Sequence, residues 1–315
     1  MGSVISRLRE SDFSYLHYKA IEGNIKKLLK LEKISNGQYE ISKNLIEKVL
    51  KSKLELYNPT KNRNIRNKPL KHDSILYRFK FIEGNTHRIK NSIIRKKIQN
   101  HLKKIMHNKY PLNLFNRKGI RCSDFNIEGT IKERITTNEI KTRLINPLIK
   151  EKKIYYEPKI MEELHSITEK VIKKYNTTSH EPVLTHLLME MKRINLLSME
   201  TPVWFKKITG HIDLLGELND ALIVIEYKPK EAELYKDLIQ TCIYAYLLSK
   251  LLRLDTEKIK CLIFTPKIAL TFDSRIYHDI VEFLHIQNSK RERNLTLKNN
   301  KPYDIETELS KLFKD

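Results

Sequence analysis

Apolar residues recur along this chain with two periods, and the change between them falls near its middle. In the first half the spacing is helical. Ile21 to Leu31 and Ile41 to Leu56 carry apolar residues three and four apart, with the turn-like ISNGQ between them. Farther on, Ile89, Ile93, Ile94, Ile98, Leu102 and Ile105 fall near one face of a helix whose other positions are rich in Lys and Arg. That is the pattern of an amphipathic basic helix. Such a helix lies on a phosphate backbone or covers a core with a solvated face, and the pattern alone leaves both open. Residues 124–158 read as a helix, a Thr-rich turn with Thr137 as N-cap, a second helix and a short basic strand pair, the order of a winged helix.

In the second half the elements alternate. Leu184, Leu187, Leu188, Met191 and Ile194 form one stripe of a helix over Glu181 to Leu197. Strands are expected over Thr201 to Ile208 and Gly210 to Leu215, then a GELND turn, then a strand from Ala221 to Lys228. The last is apolar on both faces, so it belongs in the middle of a sheet. A long helix over Glu231 to Leu252, strands at Ile259 to Phe264 and Ile268 to Phe272, and a helix over Arg275 to Gln287 complete the series. The fold class is therefore α/β with a mixed sheet, preceded by a mainly helical basic region; the boundary is placed at residue 155, giving units 1–155 and 156–315.

Charge sharpens this division. The 315 residues carry a net charge of +22, and residues 1–150 hold 34 Lys and Arg against 13 Asp and Glu, whereas residues 151–315 are nearly neutral. A biased composition would affect both halves alike, so the asymmetry points to a polyanionic partner for the first half, nucleic acid before a membrane surface. The opening MGSVIS fits an acylation pattern at Gly2, but so short a pattern is common by chance. No apolar run is long enough to span a bilayer and no secretory leader is visible. Cys122, Cys242 and Cys261 are isolated, which argues against disulfides, a zinc site or an iron–sulfur cluster and suits an intracellular protein.

The chemistry gathers in GHIDLLGELNDALIVIEYKPK, residues 210–230. Residues two apart in a strand share a face, so Glu226 and Lys228 project together. If the hairpin closes around Gly216–Asp220, Asp213 lies beside Glu226. Two carboxylates so placed repel, and a divalent cation with hard oxygen ligands, Mg2+ or Mn2+, resolves the conflict. The Tyr227 backbone carbonyl is a further candidate ligand, and Lys228 is placed to stabilise charge developing on a phosphate. A solvent-edge Glu–Lys pair would look the same. Glu181 shares the inward stripe of Leu184 and Leu188, which makes it a metal-ligand candidate or simply a first-turn acid, whereas His186 and Glu190 fall on the outer face. Gln240 and Tyr244, with Lys236 one turn earlier, line a helix stripe suited to a nucleic-acid strand or to an ordinary helix edge. His211 shares the face of Asp213 and is a weaker candidate for a phosphate contact.

The helix with Glu181, then ETPVW, GHIDLL, VIEYK and QTCIY, resembles the PD-(D/E)xK nuclease superfamily over Glu181 to Phe272, and its Q-x-x-x-Y helix is similar to the RecB-like, lambda-exonuclease-like branch. The resemblance implies a restriction-endonuclease-like core of order α-β-β-β-α-β. It implies Asp213 and Glu226 as metal ligands, Lys228 as catalytic lysine, and Gln240 and Tyr244 as substrate-strand contacts. Ile212 stands where the motif has proline. His165 is a poor match to the upstream metal-binding His of that branch. The expectation is a Mg2+- or Mn2+-dependent nuclease acting on DNA, as an exonuclease or end-processing enzyme. A structure-specific endonuclease and a non-catalytic DNA-binding protein of a mobile element are the alternatives.

Overall fold

The computed structural model describes residues 32–33, 39–40, 65–72, 75–118, 120–122, 137–230, 237–280 and 283. Its centre is a nine-stranded mixed sheet. In chain order the strands are β1 (Ile65–His72), β2 (Ile75–Ile82), β3 (Ile120–Arg121), β4 (Ile154–Tyr155), β5 (Asn195–Phe205), β6 (Ile208–Leu218), β7 (Ala221–Tyr227), β8 (Ile259–Phe264) and β9 (Ala269–Asp273). Across the sheet the order is β1-β2-β5-β6-β7-β8-β9-β4, and β3 pairs with β6 off that path. β5, β6 and β7 form an antiparallel meander, and β7 and β8 run parallel.

Helices cover both faces. Among them are α1 (Ser92–Met106), α2 (Pro158–Tyr175), α3 (His180–Glu190) and α4 (Leu238–Leu252). The alternation in β7 explains the layering. Leu222 and Val224 join the core with α1 and α4, while Ile223 and Ile225 join the core with α2 and α3. Each such side chain, buried from water, contributes about 1.5–3 kcal/mol. α4 is apolar nearly all round and buried accordingly, and even its Gln240, Thr241 and Ser249 are inside.

The β6–β7 hairpin is tighter than the five-residue GELND turn expected. Leu218 pairs with Ala221, and only Asn219 (φ 51°) and Asp220 (φ 65°) lie between. Two successive left-handed residues twist in the sense of the flanking strands, which is why Asn and Asp are found there. The tight turn fixes the register of the whole hairpin.

Several elements differ from their sequence pattern. The helix expected over 181–197 stops at Glu190. The Glu163 carboxylate on α2 accepts the N–H groups of Lys192 (2.8 Å) and Arg193 (3.0 Å) and turns the chain into β5. In α1, Ile94, Ile98, Leu102 and Ile105 are buried, whereas Ile93 is 63 % exposed and Ile89 is buried ahead of the helix. Asn91 caps α1 by accepting the N–H groups of Ile93 and Ile94.

The first half also supplies strands. In ILYRFKFI, Phe79 and Phe81 alternate with Arg78 and Lys80, and all four are buried. Arg78 Nε meets Glu181 Oε2 on α3 at 2.6 Å, and Lys80 Nζ donates to Thr185 Oγ1 at 2.9 Å. Two of the basic residues that dominate this region therefore anchor the hairpin to α3. Through β2 the first half hydrogen-bonds to β5, at Lys80–Met199 and Phe81–Ser198, so the sheet runs across residue 155 without a break.

The helices expected at 21–31 and 41–56 lie outside the described residues, but Glu32–Lys33 pairs with Tyr39–Glu40 on either side of ISNGQ. Gly2 and the first helix of the winged-helix pattern also lie outside them. Thr137 begins a helical turn instead of preceding it, and Ile154–Tyr155 pairs with β9. After β9 a 3-10 turn, Ser274–Ile276, leads into α-helix at residues 277–280, within the segment expected to be helical. Among the described residues no helix is long and apolar enough to cross a membrane.

The Arg78–Glu181 pair is buried on both sides, so removing the guanidinium leaves a carboxylate in a poor environment. Arg78→Ala is expected to cost about 3–5 kcal/mol in urea unfolding. Adding Glu181→Gln should recover part of that loss. A loss below about 1 kcal/mol would mean that the pair does not fasten the hairpin to α3.

Candidate active site

β6 and β7 part company at Asp213. Their ladder runs from Leu218–Ala221 to Leu214–Ile225 and stops. One step farther in the same register, Asp213 faces Glu226. The Tyr227 N–H then donates to Asp213 Oδ2 at 2.9 Å. β7 meanwhile stays with β8, through Tyr227–Phe264 and the Lys228 N–H to the Phe264 carbonyl at 2.8 Å. On the far side of the opening, β3 pairs with the start of β6 at Ile208 and Thr209. A cavity of about 160 Å3 fills the wedge. Asp213, Glu226, Gln240 and Tyr244 line one part of it, and His72, Tyr77, Phe115 and His211 another.

The charges at the fork are held closely. Asp213 is 6 % exposed and Glu226 is 3 % exposed. Burial, and after it the charge of Asp213, push Glu226 well above the usual carboxylate range, and Lys228 only partly offsets this. Lys228 Nζ lies 3.0 Å from Glu226 Oε1 and 2.9 Å from Asp237 Oδ2, and donates to Gln240 Oε1 at 3.3 Å. Burial alone would lower the Lys228 pKa, but Glu226, Asp237 and Asp213 outweigh it and hold the group charged. Gln240 Nε2 donates to the Tyr244 hydroxyl at 2.7 Å. Burial first, then the charge of Glu226, raises the Tyr244 pKa, so the phenol stays neutral. Glycine at 210 serves this packing, since a Cβ there would run into the Tyr244 ring and approach Cys122 Sγ.

The structure thus brings Asp213, Glu226, Lys228, Gln240, Tyr244 and His211 to one cavity or its immediate wall. It does not bring Glu181, whose carboxylate is engaged with Arg78. His165 is not among the lining residues either, while His186 pairs with Glu190 away from the site. Lys236 lies outside the described residues. Tyr227 is fully buried, and its hydroxyl donates to the Thr178 carbonyl.

Several polar residues at or beside the cavity, Arg121 among them, escaped the sequence reading. His180, the first residue of α3, places Nε2 3.8 Å from Asp213 Oδ2 and lines the cavity. Asp237 precedes α4 and meets Lys228 across the wedge. Glu200, in the quoted ETPVW, lines the cavity and adopts φ 50° between the pairs Met199–Leu214 and Thr201–Ile212, which sets it level with Asp213. A positive φ at a buried Glu within a strand costs on the order of 1 kcal/mol. No spacing in the sequence marks His180 or Asp237, because contacts between separate elements set their positions.

The donors present suit a small, oxygen-seeking cation. Glu226 Oε2 is buried with no hydrogen-bond partner among the described residues. Glu226 is buried near the charge of Asp213 with Lys228 offsetting only part of the cost, and among the described residues no group of three or more His, Cys, Asp or Glu is arranged to hold a metal ion. An open set of one or two carboxylates is what Mg2+, which keeps several waters, accepts.

A search of curated proteins finds no match to this chain. The sequence profile of the PD-(D/E)XK nuclease superfamily matches residues 124–312, which is more than half of the chain and takes in the forked strands, Asp213, Glu226, Lys228 and the α4 pair. With that span and that arrangement together, the chain belongs to the PD-(D/E)XK nuclease superfamily.

Proposed function

We propose that this protein is a Mg2+- or Mn2+-dependent nuclease that hydrolyses phosphodiester bonds in DNA from strand ends, in the manner of the RecB-like branch. The observation that carries the reading is the convergence of Asp213, Glu226 and Lys228 where β6 and β7 separate. Asp213 and Glu226 would hold the cation, joined by the Tyr227 carbonyl and flanked by the His180 imidazole. When bound, the cation supplies Lewis-acid activation of water and neutralises charge on the scissile phosphate.

The remaining work falls to the chain's own groups. The Lys228 ammonium lies against Glu226 and Gln240, which line the cavity, and stays charged, so it would stabilise negative charge building on a phosphate oxygen. Asp237 and Gln240 fix its direction, and a charge already oriented needs no reorganisation during the reaction. Gln240 and Tyr244 form one hydrogen-bonded unit beside it and would contact the substrate strand. Exposed Lys96, Lys104 and Lys109, on and just after α1, support a phosphate-tracking role for the basic first half. Glu181 is better read as an anchor for the β1–β2 hairpin than as a ligand.

The direct test uses end-labelled linear DNA and closed single-stranded circles, with Mg2+, Mn2+ or EDTA. Linear DNA should be degraded only with the cation, and circles should be spared. Asp213→Ala and Lys228→Ala should each lower the rate by about 100-fold or more, the scale of losing one electrostatic stabiliser. Cleavage that persists in EDTA or in Asp213→Ala would refute the cation site. Cutting of circles would assign an endonuclease.

The crowding of carboxylates also predicts a trade of stability against function. Glu226→Gln removes a buried charge that is unfavourable without a cation. It should therefore melt higher than wild type in EDTA, by about 1–2 °C for about 1 kcal/mol. Wild type should gain about 2.7 kcal/mol when Mn2+ reaches about 100 times its dissociation constant, and Glu226→Gln should gain little. Equal cation-induced shifts in the two proteins would contradict the assignment.

A further inference from the structure

The cavity has a second wall that hydrolysis does not call for. Six rings, from β1, β2, the segment after α1, β5 and β6, form one connected cluster. The His211 imidazole stacks on Tyr77 with centroids 3.5 Å apart and planes 9° from parallel. Its Nε2 is 2.6 Å from His72 Nδ1, and His72 Nε2 is 2.8 Å from the Tyr110 hydroxyl. Phe115 stacks on His72 at 4.5 Å and meets Trp204 edge-on at 6.2 Å. His72, Tyr77, Phe115 and His211 reach the cavity surface, and the acids of the fork face the same space.

A phosphate needs cations, amides or hydroxyls, and rings offer it little. A nucleobase, by contrast, has two flat apolar faces, and stacking on aromatic side chains is how proteins hold unpaired bases of any sequence. The space, about 160 Å3, is of the order of a base with part of its sugar, and it is too small for a base pair. A base inside a duplex is stacked and paired, so its faces are not available to a protein wall. Hydrogen bonds His211–His72–Tyr110 lock the rings in place, so little side-chain freedom is lost when a base arrives.

We infer that the ring wall of His72, Tyr77, Phe115 and His211 is a stacking subsite for the unpaired nucleobase next to the scissile phosphate, so that this nuclease acts on single-stranded DNA or on the frayed end of a duplex. The inference rests on the phosphodiesterase reading of the fork and adds the state of the strand it accepts. The wall belongs to strands of the basic first half as much as to the motif-bearing strands. This gives the β1–β2 hairpin a role at the site beyond its anchoring to α3.

The test uses the whole chain and changes the substrate first, so that folding is not in question. Single-stranded oligonucleotides with one abasic position near the labelled end are compared with the intact strand. Cleavage at the phosphate beside the missing base should fall about tenfold, mainly through KM, and abasic positions farther away should have no effect. Blunt duplex should be cut more slowly than single strand by a similar factor, and an unpaired overhang should restore the rate. Tyr77→Ala should reduce the discrimination between intact and abasic strands, and Tyr77→Phe should keep it.

Equal cleavage of intact and abasic strands, or blunt duplex cut as fast as single strand, would overturn the subsite. Binding separates this outcome from failure of the hydrolytic reading. With a cation-free protein and a strand carrying 2-aminopurine at the same position, stacking should quench the fluorescence at least severalfold. Quenching without cleavage in any metal would keep the subsite and refute the nuclease; cleavage without quenching would do the reverse.

Discussion

The separation of β6 from β7 at Asp213 is the feature on which the rest of the site depends. In an unbroken ladder the Tyr227 N–H would meet a main-chain carbonyl. Here it donates to the Asp213 carboxylate instead, and that one exchange opens the sheet without leaving a buried donor unsatisfied. The fork needs support on both sides. β7 is held by β8, whose parallel ladder continues past the fork, and β6 is held by β5 and by the short β3. The two-residue turn at Asn219–Asp220 then sets the register that brings Asp213 level with Glu226. A slip of one residue in that turn would send both acids to opposite faces.

The fork also stores an electrostatic conflict. Two acids sit in a nearly dry place, Glu226 is driven towards protonation, and a single lysine is shared among Glu226, Asp237 and Gln240. A protein selected for stability alone would have little use for that arrangement, since apolar residues of similar size would serve as well or better. The conflict becomes useful when a cation and a polyanion complete it. This is why the same residues that weaken the unliganded fold are those proposed for hydrolysis.

Much of this was legible in the sequence, for reasons that differ by residue. The proximity of Asp213, Glu226 and Lys228 was legible because strand alternation and a hairpin register are properties of adjacent residues. Gln240 and Tyr244 were found by helical spacing. The helix over 181–197 was overextended because Ile194, Leu196 and Leu197 continue an apolar run. Only the Glu163 cap and the change to two-sided burial end the helix. The β1–β2 hairpin was hidden by its charges. Arg78 and Lys80 are buried against α3, and the alternation of Tyr77, Phe79 and Phe81 was the signal to weigh. Glu181 looked inward and is inward, yet its partner is a guanidinium. His180, Asp237 and the ring wall depend on contacts between distant segments, which no local period records.

The proposed function requires the forked strands to hold a divalent cation between Asp213 and Glu226. Mn2+ binding followed by electron paramagnetic resonance tests it most directly, because free and bound ion are counted separately and no substrate is needed. Saturable Mn2+ binding is expected for the wild-type protein, lost in Asp213→Asn and in Glu226→Gln and kept in Glu181→Gln. Binding that survives both substitutions at the fork, or that disappears with Glu181→Gln alone in a folded protein, would contradict it.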